Sequence, residues 1–194
     1  MIKKIWNKLK YFYYKMIFRE FGYGSTLRNP LNLNCPGNIS IGRSTAIGYK
    51  AWLAARPVEK SGNSSLVIGN GCSIGNFNHI YATRKITIQD HVLTADKVYI
   101  SDNLHNYEDI HMPVKMQPLN QKNDVMIGEG SWLGENVCII GCTIGKHCVI
   151  GANTVVTKDV PDYSVVVGNP QKIIKRYCFQ TSSWRKTDPD GVIL

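Results

Sequence analysis

Aliphatic residues return every six positions through most of the chain. The series runs through Ile41, Ile47 and Leu53, then Ile68, Ile74, Ile80 and Ile86, then Ile88, Thr94 and Ile100. It continues at Ile127, Leu133 and Ile139, and again at Ile144, Ile150 and Val156, with glycine directly after many members, as in Ile127-Gly128 and Ile150-Gly151. A six-residue period is well off two turns of an α-helix, so a helical reading is excluded. One hexad cannot bury its own apolar face, whereas stacked copies can. The pattern predicts a parallel β-helix in which each hexad forms one flat side. The aliphatic side chain points into a narrow core and the small residue relieves crowding at the turn. The repeat by itself specifies a solenoid and leaves its handedness open.

The interruptions are as informative as the repeat. Arg56 to Ser65 breaks the pattern as a small excursion from one corner, and the phase slips by two residues between Ile86 and Ile88. From Asp102 to Asp124 there is no period, and the segment is polar with Pro113 and Pro118. An irregular segment of that length inside a compact domain is usually functional. Before the repeat, Gly22 to Pro36 reads as a loop or irregular strand. After it, Gly168-Asn169-Pro170 should end the coil, Lys172 to Phe179 predicts a short basic helix, and the C-terminal residues look loosely ordered. Met1 to Phe21 predicts an amphipathic helix. Ile2, Ile5, Trp6, Leu9, Phe12, Tyr13 and Met16 share one face, Lys4, Lys8, Lys15 and Arg19 line the other, and Lys3 and Lys10 lie on its flank. The chain thus divides into an N-terminal helix and lead-in (1–36), a β-helix domain (37–170) with an extruded loop at 102–124, and a C-terminal helix and tail (171–194).

Composition narrows the partners. The 194 residues, 43% hydrophobic, suit one globular domain with an appendage. A net charge of +9 invites nucleic acid, an anionic membrane surface or a phosphorylated small molecule. No compact nucleic-acid-binding motif is present, so nucleic acid is the weakest of these. The helix could pack on the coil or lie on an anionic membrane, where each Lys or Arg contributes about 1 kcal/mol. The six cysteines (Cys35, Cys72, Cys138, Cys142, Cys148, Cys178) show no zinc-ligand spacing and read as reduced packing residues. With no signal peptide and no apolar span, a cytoplasmic protein is expected, with peripheral attachment to the inner membrane open.

Chemistry gathers at the loop. His105 stands where the chain leaves the coil, and an imidazole titrating near neutrality is the natural general base for a hydroxyl or amine. Asp102 and Glu108 are near enough in sequence to orient it. His111 is a weaker candidate, and His79, His91 and His147 fall at ordinary coil positions.

The sequence resembles the hexapeptide-repeat acyltransferases with a left-handed β-helix, in the branch of sugar O-acetyltransferases. Three stretches carry the likeness: Ile86 to Leu93 leading without a gap to His105, Val125 to Gly134 (VMIGEGSWLG), and Ile150 to Asp159 (IGANTVVTKD) followed by Val167-Gly168-Asn169-Pro170. It covers about Ile39 to Arg176, and the loop and aromatic-basic tail are most similar to O-antigen and capsule O-acetyltransferases. The resemblance implies His105 as base, acetyl-CoA as co-substrate and no metal. It places Trp132, Glu135, Ala152, Thr157, Lys158, Lys172 and Lys175 at the coenzyme, Asn76 and Asp102 toward the acceptor, and the active site between coils of a homotrimer. Asn103 stands where the branch often has a second histidine, and Gln171 where a small residue is common. The acceptor expected is a hydroxyl of a surface polysaccharide or its precursor, with a small soluble acceptor (free sugar, antibiotic or amino sugar) as the alternative. A zinc-dependent carbonic anhydrase, or a binding coil without catalysis, would leave the coenzyme-type tail or His105 without a purpose.

Overall fold

Short strands stacked in register build the molecule. The computed structural model describes residues 2–58 and 62–194; Met1, the side chains of Ile2, Lys3, Lys4, Ile5 and Asn7, and residues 59–61 of the expected excursion lie outside the described residues. Three parallel sheets form the faces of a triangular prism. The first face stacks Glu20–Phe21, Ile39–Ile41, Ser65–Ile68, Lys85–Ile88, Val125–Ile127 and Thr143–Ile144. The second stacks Thr26–Leu27, Ala46–Ile47, Ser73–Ile74, Leu93–Thr94, Trp132–Leu133, Val149–Ile150 and Ser164–Val167. The third stacks Asn32–Asn34, Trp52–Ala55, His79–Ala82, Tyr99–Ser101, Cys138–Ile140 and Val155–Val156. The described residues make six complete coils and a seventh that ends on the second face.

The register explains why this sequence coils. Ile41, Ile68, Ile88, Ile127 and Ile144 pair with one another from coil to coil, so like side chains stack along the core. All five are essentially buried, and burying one such side chain is worth about 1.5–3 kcal/mol. The two-residue phase slip has a local cause. Ile86 and Ile88 lie on the same strand and both point inward, with Thr87 outward between them.

Two corners of the prism repeat one backbone device. The first-to-second corner turns through left-handed residues at Gly24, Ser44, Gly71, His91, Gly130, His147 and Tyr163. The second-to-third corner does the same at Asn29, Lys50, Phe77, Lys97, Asn136, Asn153 and Gly168. Among the described residues the third-to-first corner has left-handed residues only at Cys35 and Gly141, and both excursions, after Ala55 and after Ser101, leave from it.

Both ends differ from expectation. Helix α1 spans Ile2–Ile17, and Gly22 to Pro36, read as a loop or irregular strand, holds the short strands Thr26–Leu27 and Asn32–Asn34 of the first coil, with Phe21 and Leu27 buried. The expected C-terminal helix is a strand, Lys172–Cys178, antiparallel to Ser164–Val167 and then to Ser183–Lys186. Ile173, Ile174 and Tyr177 favour extended backbone, and the last coil offers an open edge that the hairpin covers. The helix packs through Tyr14 and Phe18, whose rings stand 5.3 and 5.6 Å from Phe21 and close the open end of the core. The apolar face read from the sequence points the other way.

Candidate active site

The segment after Ser101 is an ordered hairpin. Asn103–His105 pairs antiparallel with Leu119–Gln121, which sets His105 opposite Leu119. Asp102 fixes its root. The carboxylate is wholly buried and accepts the backbone N–H groups of Thr83 (2.8 Å), Arg84 (2.7 Å) and Lys85 (2.9 Å), the Thr83 hydroxyl (2.8 Å) and the Asn103 amide (3.1 Å). A buried charge is tolerated only when so satisfied. Asp102 was expected at the acceptor; enclosed by these donors, it positions the hairpin instead. The tip is held by Gln117, whose amide donates to the carbonyls of Asp109 and Met112, each at 2.8 Å. His105 emerges from this frame exposed, its imidazole with no hydrogen-bond partner among the described residues. Neither Asp102 nor Glu108 orients its ring.

The other histidines are built into the coil. His91 and His147 are corner residues whose rings lie against Gly71 and Gly130 of neighbouring coils. His79 stacks on Trp52 at 4.2 Å, and burial holds its imidazole below the ordinary value. Among the described residues no three His, Cys, Asp or Glu side chains gather in a metal-binding arrangement. Burial pushes the Cys142 thiol up to about 12 and the Cys148 thiol up to about 11, so neither supplies a thiolate nucleophile.

The residues expected at the coenzyme fall into two groups. Trp132 is half-exposed on the second face between Leu93 and Val149. Glu135 and Ala152 occupy the adjoining corner on successive coils, and the Asn153 N–H donates to the Glu135 carbonyl at 2.9 Å. The Glu135 carboxylate also meets the Lys97 ammonium at 3.0 Å. One corner further round, Gln171 clasps the Thr157-Lys158 turn. Its Oε1 accepts both backbone N–H groups, at 2.8 and 3.0 Å, and its Nε2 donates to the Lys158 carbonyl at 3.0 Å. The clasp brings Lys172 beside Lys158, while Lys175 sits farther along the same strand, opposite Val165. The residue that departs from the family pattern is therefore what fixes this turn.

Asn76 lies on the corner column of Glu135 and Ala152, and its side chain is fully engaged. Its Oδ1 accepts the Tyr49 N–H at 2.8 Å and its Nδ2 donates to Asp96 at 3.1 Å. That amide and the Asn76 N–H hold the Asp96 carboxyl below the usual range. Asn76 is thus a corner brace and not a free acceptor contact. His105 and the Glu135–Ala152 column stand at the two edges of the third face, so one chain does not bring them together.

Sequence reading missed one feature. Both excursions leave the same corner and enclose a cleft of about 430 Å³ lined by Pro57, Val58, Thr83, Arg84, Leu119 and Gln121. Leu119 is the strand partner of His105. Counting coils between Arg56 and Asp102 would have placed both insertions on that corner.

The fold has counterparts. A family model, the hexapeptide repeat of succinyl-transferase, matches residues 124–158. A Mycobacterium tuberculosis protein named as an acetyltransferase is 39% identical over 138 residues, which cover 71% of this chain and 44% of that protein, so the chain spans less than half of its length. An Escherichia coli K12 protein, WbbJ, whose name gives it as an O-acetyl transferase of lipopolysaccharide biosynthesis, is 32% identical over 168 residues, 82% of this chain and 83% of its own. Among solved structures, a hexapeptide-repeat acetyltransferase of Vibrio cholerae complexed with acetyl-CoA superposes with a TM-score of 0.60 at 24% identity, covering 87% of this chain and 76% of that one.

Proposed function

This chain belongs to the hexapeptide-repeat acetyltransferases with a left-handed β-helix, and we propose that it moves an acetyl group from acetyl-CoA to a sugar hydroxyl of a bacterial surface polysaccharide or its lipid-linked precursor. The observation that carries this reading is the His105 imidazole, exposed and without a hydrogen-bond partner among the described residues, on a hairpin whose root is fixed by five donors to Asp102. A free hydroxyl is a poor nucleophile. His105 takes its proton as the oxygen attacks the thioester carbonyl, and the imidazolium returns that proton to the departing coenzyme thiolate. No acyl-enzyme forms, in keeping with the buried, proton-retaining thiols of Cys142 and Cys148.

In this reading Trp132, Glu135, Ala152 and the Thr157-Lys158 turn flank the pantetheine arm, while Lys158, Lys172 and Lys175 meet the phosphates. His105 and the Glu135–Ala152 column occupy opposite edges of one face, so the complete site forms in a groove between chains of a homotrimer. The cleft beside Leu119 receives the acceptor. The enzyme works in the cytoplasm, at the inner membrane where such precursors are assembled. WbbJ supports the polysaccharide over a small soluble acceptor.

His105→Ala is the test. It should lower kcat by about 10²–10⁴-fold with acetyl-CoA affinity nearly unchanged. Normal turnover in the variant, or an acetylated protein side chain trapped during the reaction, would refute the mechanism. Loss of O-acetyl groups from surface glycans on deletion of the gene would identify the acceptor class.

A further inference from the structure

The structure assigns helix α1 and the first coil to an anionic phospholipid surface. Helix α1 presents Trp6, Leu9, Phe12, Tyr13 and Met16 to solvent at 60%, 58%, 52%, 52% and 78% exposure, on one face at helical spacing. The opposite side is committed to the coil through Tyr14, with Phe18 just past the helix end, so the helix cannot turn its apolar face inward. No described helix is long and apolar enough to cross a membrane, which leaves a helix lying in the interface plane.

Charge decides the occupant. The first nineteen residues contain six basic residues and no acidic one. Within the helix, Lys8 and Lys15 fall on one flank of the apolar face, rather than directly opposite it as expected, and Lys10 on the other; Arg19 lies past the helix end. On the Lys10 side a cleft of about 490 Å³ opens between the helix and the first two coils. Lys10, Arg28, Tyr11, Tyr14 and Tyr49 are among its lining residues, and no acidic residue is. The Lys10 ammonium is 3.0 Å from the Asn29 side-chain oxygen, which holds it at the rim. Two cations with aromatic walls suit a phosphodiester headgroup, while the exposed face enters the acyl boundary. A second copy of this chain would bring the same cations against themselves. The assignment stands apart from the choice of acceptor sugar, since it would hold for any acetyl acceptor.

The test uses the full chain with vesicles of phosphatidylglycerol or of phosphatidylcholine, at low and high salt. The intact protein should sediment with phosphatidylglycerol vesicles alone and be released by salt. The Trp6→Ser/Phe12→Ser and Lys8→Glu/Lys10→Glu variants should each bind more than about tenfold more weakly, with the thermal melt of the protein unchanged. That unchanged melt shows that the coil remains folded, whatever the acetyl acceptor. Binding by neither vesicle, equal binding by parent and variants, or a smaller oligomer in the variants without vesicle binding by the parent would each overturn the assignment. Displacement by inorganic phosphate at constant ionic strength would overturn it too, in favour of a soluble phosphate site.

Discussion

Asp102 illustrates how a single side chain can govern chemistry it never touches. Its carboxylate gathers the N–H groups of three consecutive residues, Thr83 to Lys85, at the point where the hairpin leaves the coil. Replacing it with alanine strands the buried Thr83 N–H and hydroxyl, at about 1–3 kcal/mol each, whereas the exposed Arg84 and Lys85 can turn to water. Asp102→Ala should therefore lower unfolding free energy by at least about 2 kcal/mol and depress kcat while sparing acetyl-CoA affinity. Denaturant melts with steady-state kinetics check both, and full activity in the variant would remove Asp102 from its positioning role. His79 gives a prediction of opposite chemistry. Burial keeps its imidazole below the ordinary value near 6.5, so the unfolded chain takes up a proton before the folded one does. Its contribution is complete above about pH 6.5 and is lost as pH falls below that. A curve of Tm against pH should accordingly be flatter on the acid side for His79→Phe than for the parent.

At the scale of elements, the coil depends on how closely its corners stack. A methyl group added at Gly128 would lie 2.4 Å from the carbonyl carbon of Gly145 and the nitrogen of Lys146, neither of which can yield. Gly128→Ala should cost about 1–3 kcal/mol, whereas Gly37→Ala, with nothing within 4 Å of the new methyl, should leave Tm unchanged. A calorimetric comparison of the two separates crowding from a general loss of glycine freedom. The hexads were legible because one inward residue per side suffices to build this core. The first coil was legible too, in Phe21, Leu27, Leu33 and Ile39 at six-residue spacing, but Asn, Pro and Gly between them read as punctuation. The C-terminal strand was misread because Lys and Arg among Ile and Tyr fit a basic helix equally well, and only the open edge of the last coil decides between them. At the site, spacing put His105 where the chain leaves the coil, and the structure has it on the first strand of the hairpin. The enclosure of Asp102 and the engagement of Asn76 could not be read from spacing, because both depend on contacts between coils.

At the scale of the molecule, the solenoid separates what holds it together from what it acts upon. Parallel ladders run on above and below the hairpin, with Tyr99–Ser101 paired directly to Cys138–Ile140 and Lys85–Ile88 to Val125–Ile127. Replacing residues 103–123 by a short turn should leave a single cooperative melt and intact acetyl-CoA binding, with acetyl transfer abolished. A broad or multistep transition would mean that the hairpin is needed for the fold. Among the described residues the corner from which both excursions spring has left-handed residues only at Cys35 and Gly141, so no single turn geometry repeats along it. Its connections differ in length from coil to coil, from two residues between Ala82 and Lys85 to the whole hairpin after Ser101. A lineage of such proteins can exchange one target for another by rewriting that edge, while inheriting unchanged the scaffold and the coenzyme wall on which every version depends.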